Sequence, residues 1–595
     1  MKPRQIPWKW LLLGVAALAA AALALLPRQF ADSSRLAAHV SKMLADWSGG
    51  EVKLTGPVRV SYFPDVAIKS GFELKNASRI PLVQSMAAEE VKISLDLPAM
   101  LLGRVQIEAV RLLRPEIVLQ EAAPPATAEQ TLSARIANLF GGTTIRVLRI
   151  RDGRFYVPTA AGKEPVNKFD LRLDASSGDG AITSFGSFVF RNETVKFGLD
   201  CEAPVQVDAI PIRLMVTSNP VKVKITGTAS LNTGLEIDGN LIVDTPSLRG
   251  FLIWTGIPLP QGRSLQELSA SGHAHWNGTT LTLDKGAFAL DGATAVGVLA
   301  ITPGERPRID GTLDFERLVL DPYLGGMSDS STAQLTLSEQ AILKYLDADL
   351  RISAAEVVAA PVKLGRGGFT ISAKGGLLAS EVGELELCGG QASGRVVFDV
   401  QGDDAKIALN ANVAGVPVDS CLQPLAPDMP LSGTGNLRVE ATAEGRSYEE
   451  MVRGLGGSIK ADALNGVFPL DFARLLSSAA PLEGGGWSRT AGTMFDQLDA
   501  DCRLIAGQVR CDSFNMQTRR GLFSGSGSVD LAQLTLDWSL FLASNDKPLK
   551  ASQLATESPP RISISGPLAE PMIRRADRPA LGDGSHPALD QVSPR

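Results

Sequence analysis

The chain has 595 residues, of which 44% are hydrophobic and 21% charged. That hydrophobic content excludes wholesale disorder. A net charge of −6, from 58 basic against 64 acidic residues, tells against nucleic acid as a partner, because phosphate binding needs a clustered positive surface. Four His and five Cys leave little material for metal sites, and no cofactor is expected.

Taken in chain order, Lys2, Arg4 and Lys9 precede an uncharged apolar run over residues 10–26. With Ile6, Pro7 and Trp8 this run approaches the ~20 residues that cross a bilayer. The basic residues before it place residues 1–9 in the cytoplasm. The alternative is a cleaved signal peptide, against which Pro27 and Arg28 sit badly near a cut. In either case the rest of the chain is expected to be exported. Next comes "ADSSRLAAHVSKMLADWSGG", in which Leu36, Val40, Met43, Leu44 and Trp47 recur at spacings of three and four. This predicts an amphipathic helix stopped by Gly49–Gly50. Its polar face is not strongly basic, so packing on the end of a sheet is favoured over lying on lipid.

From about Glu51 the period changes to two. "EVKLTGPVRVSYFP" and "VKISLDL" alternate, and "FGSFVFRNETVKFGLD" reads as two strands about a turn near Asn192. Gly, Asn, Asp and Pro punctuate the strands every 8–14 residues or so, which is the pattern of serial antiparallel hairpins. At ~13 residues per strand the exported part would hold ~40 strands. Helices interrupt at 129–140, after the Pro-rich "APPA" of 123–126, and at "SLRGFLIWTG", "SYEEMVRGL" and "PLDFARLLSS". In "LLRPEIVL" (112–119) the double leucine breaks the alternation, which predicts the end of one strand, a bulge, and a second strand resuming at Ile117 and Leu119. Beyond about Arg574 the composition turns aperiodic, as in a disordered tail.

Several motifs then occur in order. These are Thr55–Gly56, Phe63–Pro64 and Arg114–Pro115, "TPSLRGFLIWTGIPLP" (245–260), "LELCGGQASGRVVFDV" (385–400), the long stretch 431–476, and the ending "SGSGSVDLAQLTLD" and "ISGPLAEPMI". Together they resemble the AsmA family. The resemblance implies one N-terminal inner-membrane helix followed by a mainly β periplasmic body with a chorein-like start. That body would be an elongated, curved antiparallel sheet with a few short helices, forming a groove with an apolar inner face. It divides the chain into a cytoplasmic stretch (1–9), a transmembrane helix (10–26), an N-terminal region (31–120), a linker and helix (121–143), a central β-rich region (144–430), a C-terminal domain (431–573) and a tail (574–595). The family is linked to outer-membrane integrity and phospholipid movement, and by an older idea to outer-membrane protein assembly.

An apolar face must be covered by a second sheet, by closure into a barrel, or by something else. Acyl chains suit the role, since each buried CH₂ contributes ~0.8 kcal/mol and needs no hydrogen-bond partner. Val91, Ile93, Leu95, Val105 and Ile107 are candidate lining residues of such a groove. The expected partners are phospholipid, the inner membrane and other envelope proteins. The rival reading is an assembly scaffold offering strand edges. No enzymatic activity is expected, since neither a Walker A loop nor a G-x-S-x-G elbow occurs. His273 and His275 share one side of a strand but have no third ligand near in sequence, so a surface role outweighs a metal site. In "CRLIAGQVRC" a two-residue turn at Ala506–Gly507 sets Cys502 opposite Cys511, within disulfide reach, although the hairpin would form with both reduced. Cys201, Cys388 and Cys421 are an odd remainder, so at least one thiol stays free.

Overall fold

The structure is a computed structural model. It describes residues 33–576 apart from 62–64, 79, 81–82, 103–104, 120–144, 160–161, 176–180, 203–208, 231–234, 258, 260–263, 305, 325–342, 403, 425, 447, 478–483, 489 and 544–560. The expected membrane helix at 10–26, the Phe63–Pro64 motif, the helix at 129–140 and the tail beyond 576 therefore fall outside the described residues. Among the described residues no helix is long and apolar enough to cross a membrane. The protein is mainly β, rich in antiparallel pairing, with few and short helices. The described residues form 29 strands; the expectation of ~40 covered the whole exported part and allotted ~13 residues to each strand with its turn, whereas many strands here take 13 residues before any turn or connection is added.

The chain divides into two compact units, Met1–Gly256 with Glu267–Gly286, and Ile257–Gln266 with Ala287–Arg595. The first unit opens with helix α1 (Ser33–Ser48), ended by Gly49 at φ +66°. The strands that follow are β1 (Glu51–Ser61), β2 (Ala67–Lys75), β3 (Val83–Leu95) and β4 (Ile107–Leu119). Between β3 and β4 lies the short helix α2 (Leu97–Leu101), capped where the Asp96 carboxylate accepts from the Ala99 N–H at 3.0 Å. Then come β5 (Val147–Thr159), β6 (Gly162–Ala175), β7 (Ile182–Phe190) and β8 (Glu193–Cys201). The unit continues through β9 (Ala209–Thr217), β10 (Lys222–Ser230), β11 (Glu236–Thr245), helix α3 (Leu248–Thr255) and β12 (Leu268–Trp276). Each strand pairs with its successor in the chain. All these pairs are antiparallel except β4–β5, which is parallel and is joined by a long connection, as parallel pairing requires.

Strict alternation would carry the apolar side chains of β3–β6 off the core face along their length. It is broken in every one of these strands. Glu89 and Glu90 stand between Ala88 and Val91, where β3 shifts register against β2. Arg114, Asp152 and Lys168 take φ values of +47°, +54° and +50° within β4, β5 and β6. Each irregular residue resets the period, so that Leu112 and Ile117, Ile150 and Phe155, and Phe169 and Val166 all return to one face. Left-handed backbone costs a non-glycine residue ~1 kcal/mol or more, and local contacts offset it. The Arg114 guanidinium pairs with Glu89 at 2.9 Å, and the Asp152 N–H donates to the Asp170 carboxylate at 2.9 Å. The double leucine of 112–113 therefore marks a break inside one continuous strand, not the end of a strand as the sequence suggested, because Arg114 absorbs the extra residue without interrupting β4.

The second unit repeats the hairpin pattern. Its parallel pair joins Arg308–Val319 to Asp347–Ala359, and antiparallel partners then follow in chain order to Gly456–Phe468. That strand pairs with Thr493–Ile505, and the series runs on to Met572–Ala576, so residues 574–576 are strand, not tail. Helix Phe472–Ser477 contributes Phe472 and Leu475 to a core with Phe468, Phe514 and Phe523, and the Trp487 indole donates to the Leu568 carbonyl at 2.8 Å. The helices expected around 248, 448 and 472 form as Leu248–Thr255, Tyr448–Arg453 and Phe472–Ser477.

Candidate functional site: an apolar cavity and the face that continues it

The first unit holds a cavity of about 400 Å³. Helix α1 supplies Leu44, Trp47 and Ser48, and β1 supplies Val52. Phe72 and Leu74 of β2, Val83 and Met86 of β3, and Val110, Leu112, Ile117 and Leu119 of β4 follow. The wall ends with Leu148, Ile150 and Phe155 of β5 and Phe169, Leu171 and Leu173 of β6. Ser48 is the one polar residue in the lining. Its hydroxyl donates to the Ala45 carbonyl at 3.4 Å and accepts from the Gly50 N–H at 3.3 Å. Such a lining offers no hydrogen bond to a polar ligand or to water, so its natural content is hydrocarbon.

Beyond the cavity the same face stays apolar across the unit. Reading the ladder from β5 to β12, Ile150 stands opposite Leu171, then Gly186, Phe197, Val216, Val223, Val243 and Ala270. The next row runs Leu148, Leu173, Ser184, Leu199, Leu214, Ile225, Leu241 and Gly272. Phe155, Phe169, Phe188 and Phe197 join the cavity to these rows, with ring centroids 5.3–6.5 Å apart. Gly186 makes room for this chain of rings, since a Cβ there would lie 2.7 Å from the Phe197 ring. Several members of the two rows, including Val216, Val223 and Ile225, are only partly buried. The face is thus extended and apolar, and the described residues do not fully cover it.

The five residues proposed from sequence as lining sit elsewhere. Val91, Ile93, Leu95 and Ile107 are 0–2% exposed and share a buried core with Leu36, Val40 and Leu44 of α1, while Val105 packs at its margin. Protein covers Val91, Ile93, Leu95 and Ile107, and none of the five is among the residues that line this cavity. Alternation shows which face of a strand is apolar, but not where along the strand a helix closes over it. The cavity occupies the other end of the same strands, where Val83 and Met86 take part in place of Ile93 and Leu95.

Cys502 stands opposite Cys511 and the two form a disulfide, in the hairpin whose turn is Ala506–Gly507. A second disulfide joins Cys388 to Cys421. No local spacing signals that pair. The strands Leu377–Leu387, Gly390–Asp399 and Ala405–Pro417 fold back on one another, which returns the Cys388 turn to the start of helix Val418–Leu422. Cys201 is the free thiol, and burial raises its pKa. His273 and His275 lie on one side of β12, 3.3 and 3.5 Å from the same Asp238 oxygen, and are about half exposed. Among the described residues no group of three or more His, Cys, Asp or Glu is arranged to hold a metal.

The model of the AsmA family matches residues 326–525. Over that stretch the chain belongs to the AsmA family. The match contains the motif at 385–400 and the segment 431–476, and the earlier AsmA-like motifs, at 55–56, 63–64, 114–115 and 245–260, lie outside it. Membership is consistent with a role in the cell envelope. No curated protein and no solved structure gave a significant match.

Proposed function

We propose that this protein is an inner-membrane-anchored periplasmic lipid carrier. It would hold phospholipid acyl chains against a groove-like apolar wall and support their movement between the inner and outer membranes. The carrying observation is the cavity of about 400 Å³ whose apolar lining continues, row by row, onto an incompletely covered face. Hydrocarbon gains from burial at every point along such a face and no single polar contact fixes its position, so sliding costs little. The reading needs no catalytic group and no cofactor. The two disulfides support it, because such bonds persist in oxidising compartments. The assembly-scaffold alternative would use the outer edge of β1, which among the described residues pairs only with β2. That edge carries Pro57 and a register break at Gly56, features that blunt strand pairing, so it is the less supported reading.

The test is lipid recovery. Leu173→Asp places a charge in the cavity wall at a residue outside the buried core. The full chain, purified with and without the substitution, should differ in co-purifying phospholipid by at least a few-fold, with similar melting behaviour. Equal recovery from the two would remove the cavity from the lipid path.

A further inference from the structure

The reverse side of the cavity wall carries an arrangement that the apolar face does not explain. Arg59 of β1 stands opposite Lys69 of β2, which stands opposite Lys92 of β3. Lys92 stands opposite Arg111 of β4, Arg111 opposite Arg149 of β5, and Arg149 opposite Arg172 of β6. Six basic side chains thus form one unbroken cross-strand row, ~24 Å long at ~4.8 Å per strand. Arg111 lies between Val110 and Leu112, Arg149 between Leu148 and Ile150, and Arg172 between Leu171 and Leu173. The row therefore backs directly onto the cavity lining.

Like charges directly opposite one another destabilise a sheet, and only half of this row is offset. Lys92 pairs with Asp65 at 2.9 Å, Lys69 reaches Glu90 at 3.9 Å, and Arg172 pairs with Asp174 at 2.5 Å. Among the described residues no ion pair forms at Arg59, Arg111 or Arg149, and the buried Nε of Arg149 has no hydrogen-bond partner. The chain as a whole carries a charge of −6, so the row is a local concentration and not a general basic character.

We propose that this row is a docking surface for an anionic phospholipid membrane, so that the first unit lies with the back of its cavity wall against the headgroups. The occupant follows from charge complementarity and from tether length. Only six residues, 27–32, separate the end of the apolar run at Leu26 from α1 at Ser33, a reach of at most ~25 Å, which keeps the first unit at the membrane surface. Basic residues held near such a surface are drawn to anionic lipid in a salt-dependent way. The inference rests on the anchor reading of residues 10–26.

The experiment uses the full chain in nanodiscs of phosphatidylcholine alone or with one third phosphatidylglycerol. Arginines are modified with phenylglyoxal and quantified by mass spectrometry, at low and high salt. Arg59, Arg111 and Arg149 should be protected several-fold in the anionic discs at low salt, the protection should fade at high salt, and Arg351 of the second unit should react alike throughout. The triple change Arg59→Gln, Arg111→Gln and Arg149→Gln should keep or raise the melting temperature, and should abolish the lipid-dependent protection of Arg172. Equal modification in both discs overturns the docking surface while leaving the anchor in place. A chain that enters neither disc overturns the anchor, and the orientation inferred from it falls too.

Discussion

Asp65 shows how single residues tie the first unit together. Its carboxylate accepts from the Lys92 ammonium at 3.0 Å and from the Ser94 hydroxyl at 2.9 Å, and the Lys92 bond is the main reason that its pKa is lowered. A depressed carboxylate stabilises the fold above its unfolded pKa, and that contribution is lost as pH falls through the lower folded value. Asp65→Asn should therefore cost about 1 kcal/mol at neutral pH, a figure kept small because the pair is partly solvated. The gap between denaturant melts of the two proteins should begin to narrow near pH 4, about the unfolded pKa of an aspartate, and close only as pH falls through the lower folded value. At the same scale, Cys388–Cys421 closes a loop with a separation of 33, against 9 for Cys502–Cys511. By loop length, Cys388→Ser should cost about 3–4 kcal/mol and Cys502→Ser about 2–3 kcal/mol, read from unfolding under non-reducing conditions. The shorter loop was legible because a hairpin sets its own register. The longer one was not, because three strands must fold before its ends meet.

At the scale of elements, α3 is held to the β7–β8 hairpin by one arginine. Arg191 pairs with Glu164, donates to the Trp254 carbonyl at 2.7 Å, and lies over the Phe190 ring. Trp254 in turn donates its indole N–H to the Phe190 carbonyl at 3.2 Å and meets the Phe190 ring edge-on. Lysine cannot reproduce this fork of donors. Arg191→Lys should loosen α3 by about 1–3 kcal/mol, visible as faster amide exchange over 248–255 while β9–β11 stay protected. The helix itself could be read from "SLRGFLIWTG", with its Ser247 cap and Gly256 stop. Its anchoring could not, since Glu164 and Arg191 lie far upstream. The breaks at Arg114, Asp152 and Lys168 were only partly visible for a similar reason. A double leucine hints that the period resets, but the alignment of such resets across neighbouring strands exists only once the strands pair.

At the scale of the whole molecule, the contrast between two ends of the same strands gives the sharpest check. Ile93→Asp buries an unpaired carboxylate in a core fully closed to solvent, and should unfold the first unit. Leu173→Asp, in the cavity wall, should leave that unit folded and deplete its lipid. If circular dichroism and melting showed the two variants equally folded, the division between a covered core and an open wall would be wrong. The sequence alone determined that this protein is built of hairpins with one apolar face, that α1 is amphipathic, and that Cys502 faces Cys511. These follow from side-chain period and turn geometry, which act over a few residues. Only the tertiary structure decided where that face is covered by α1 and where it opens into a cavity, that Cys388 meets Cys421, and that six basic residues from six strands fall into one row. Each of these depends on strand register, and register is set by contacts between segments too far apart in the chain for a local pattern to record.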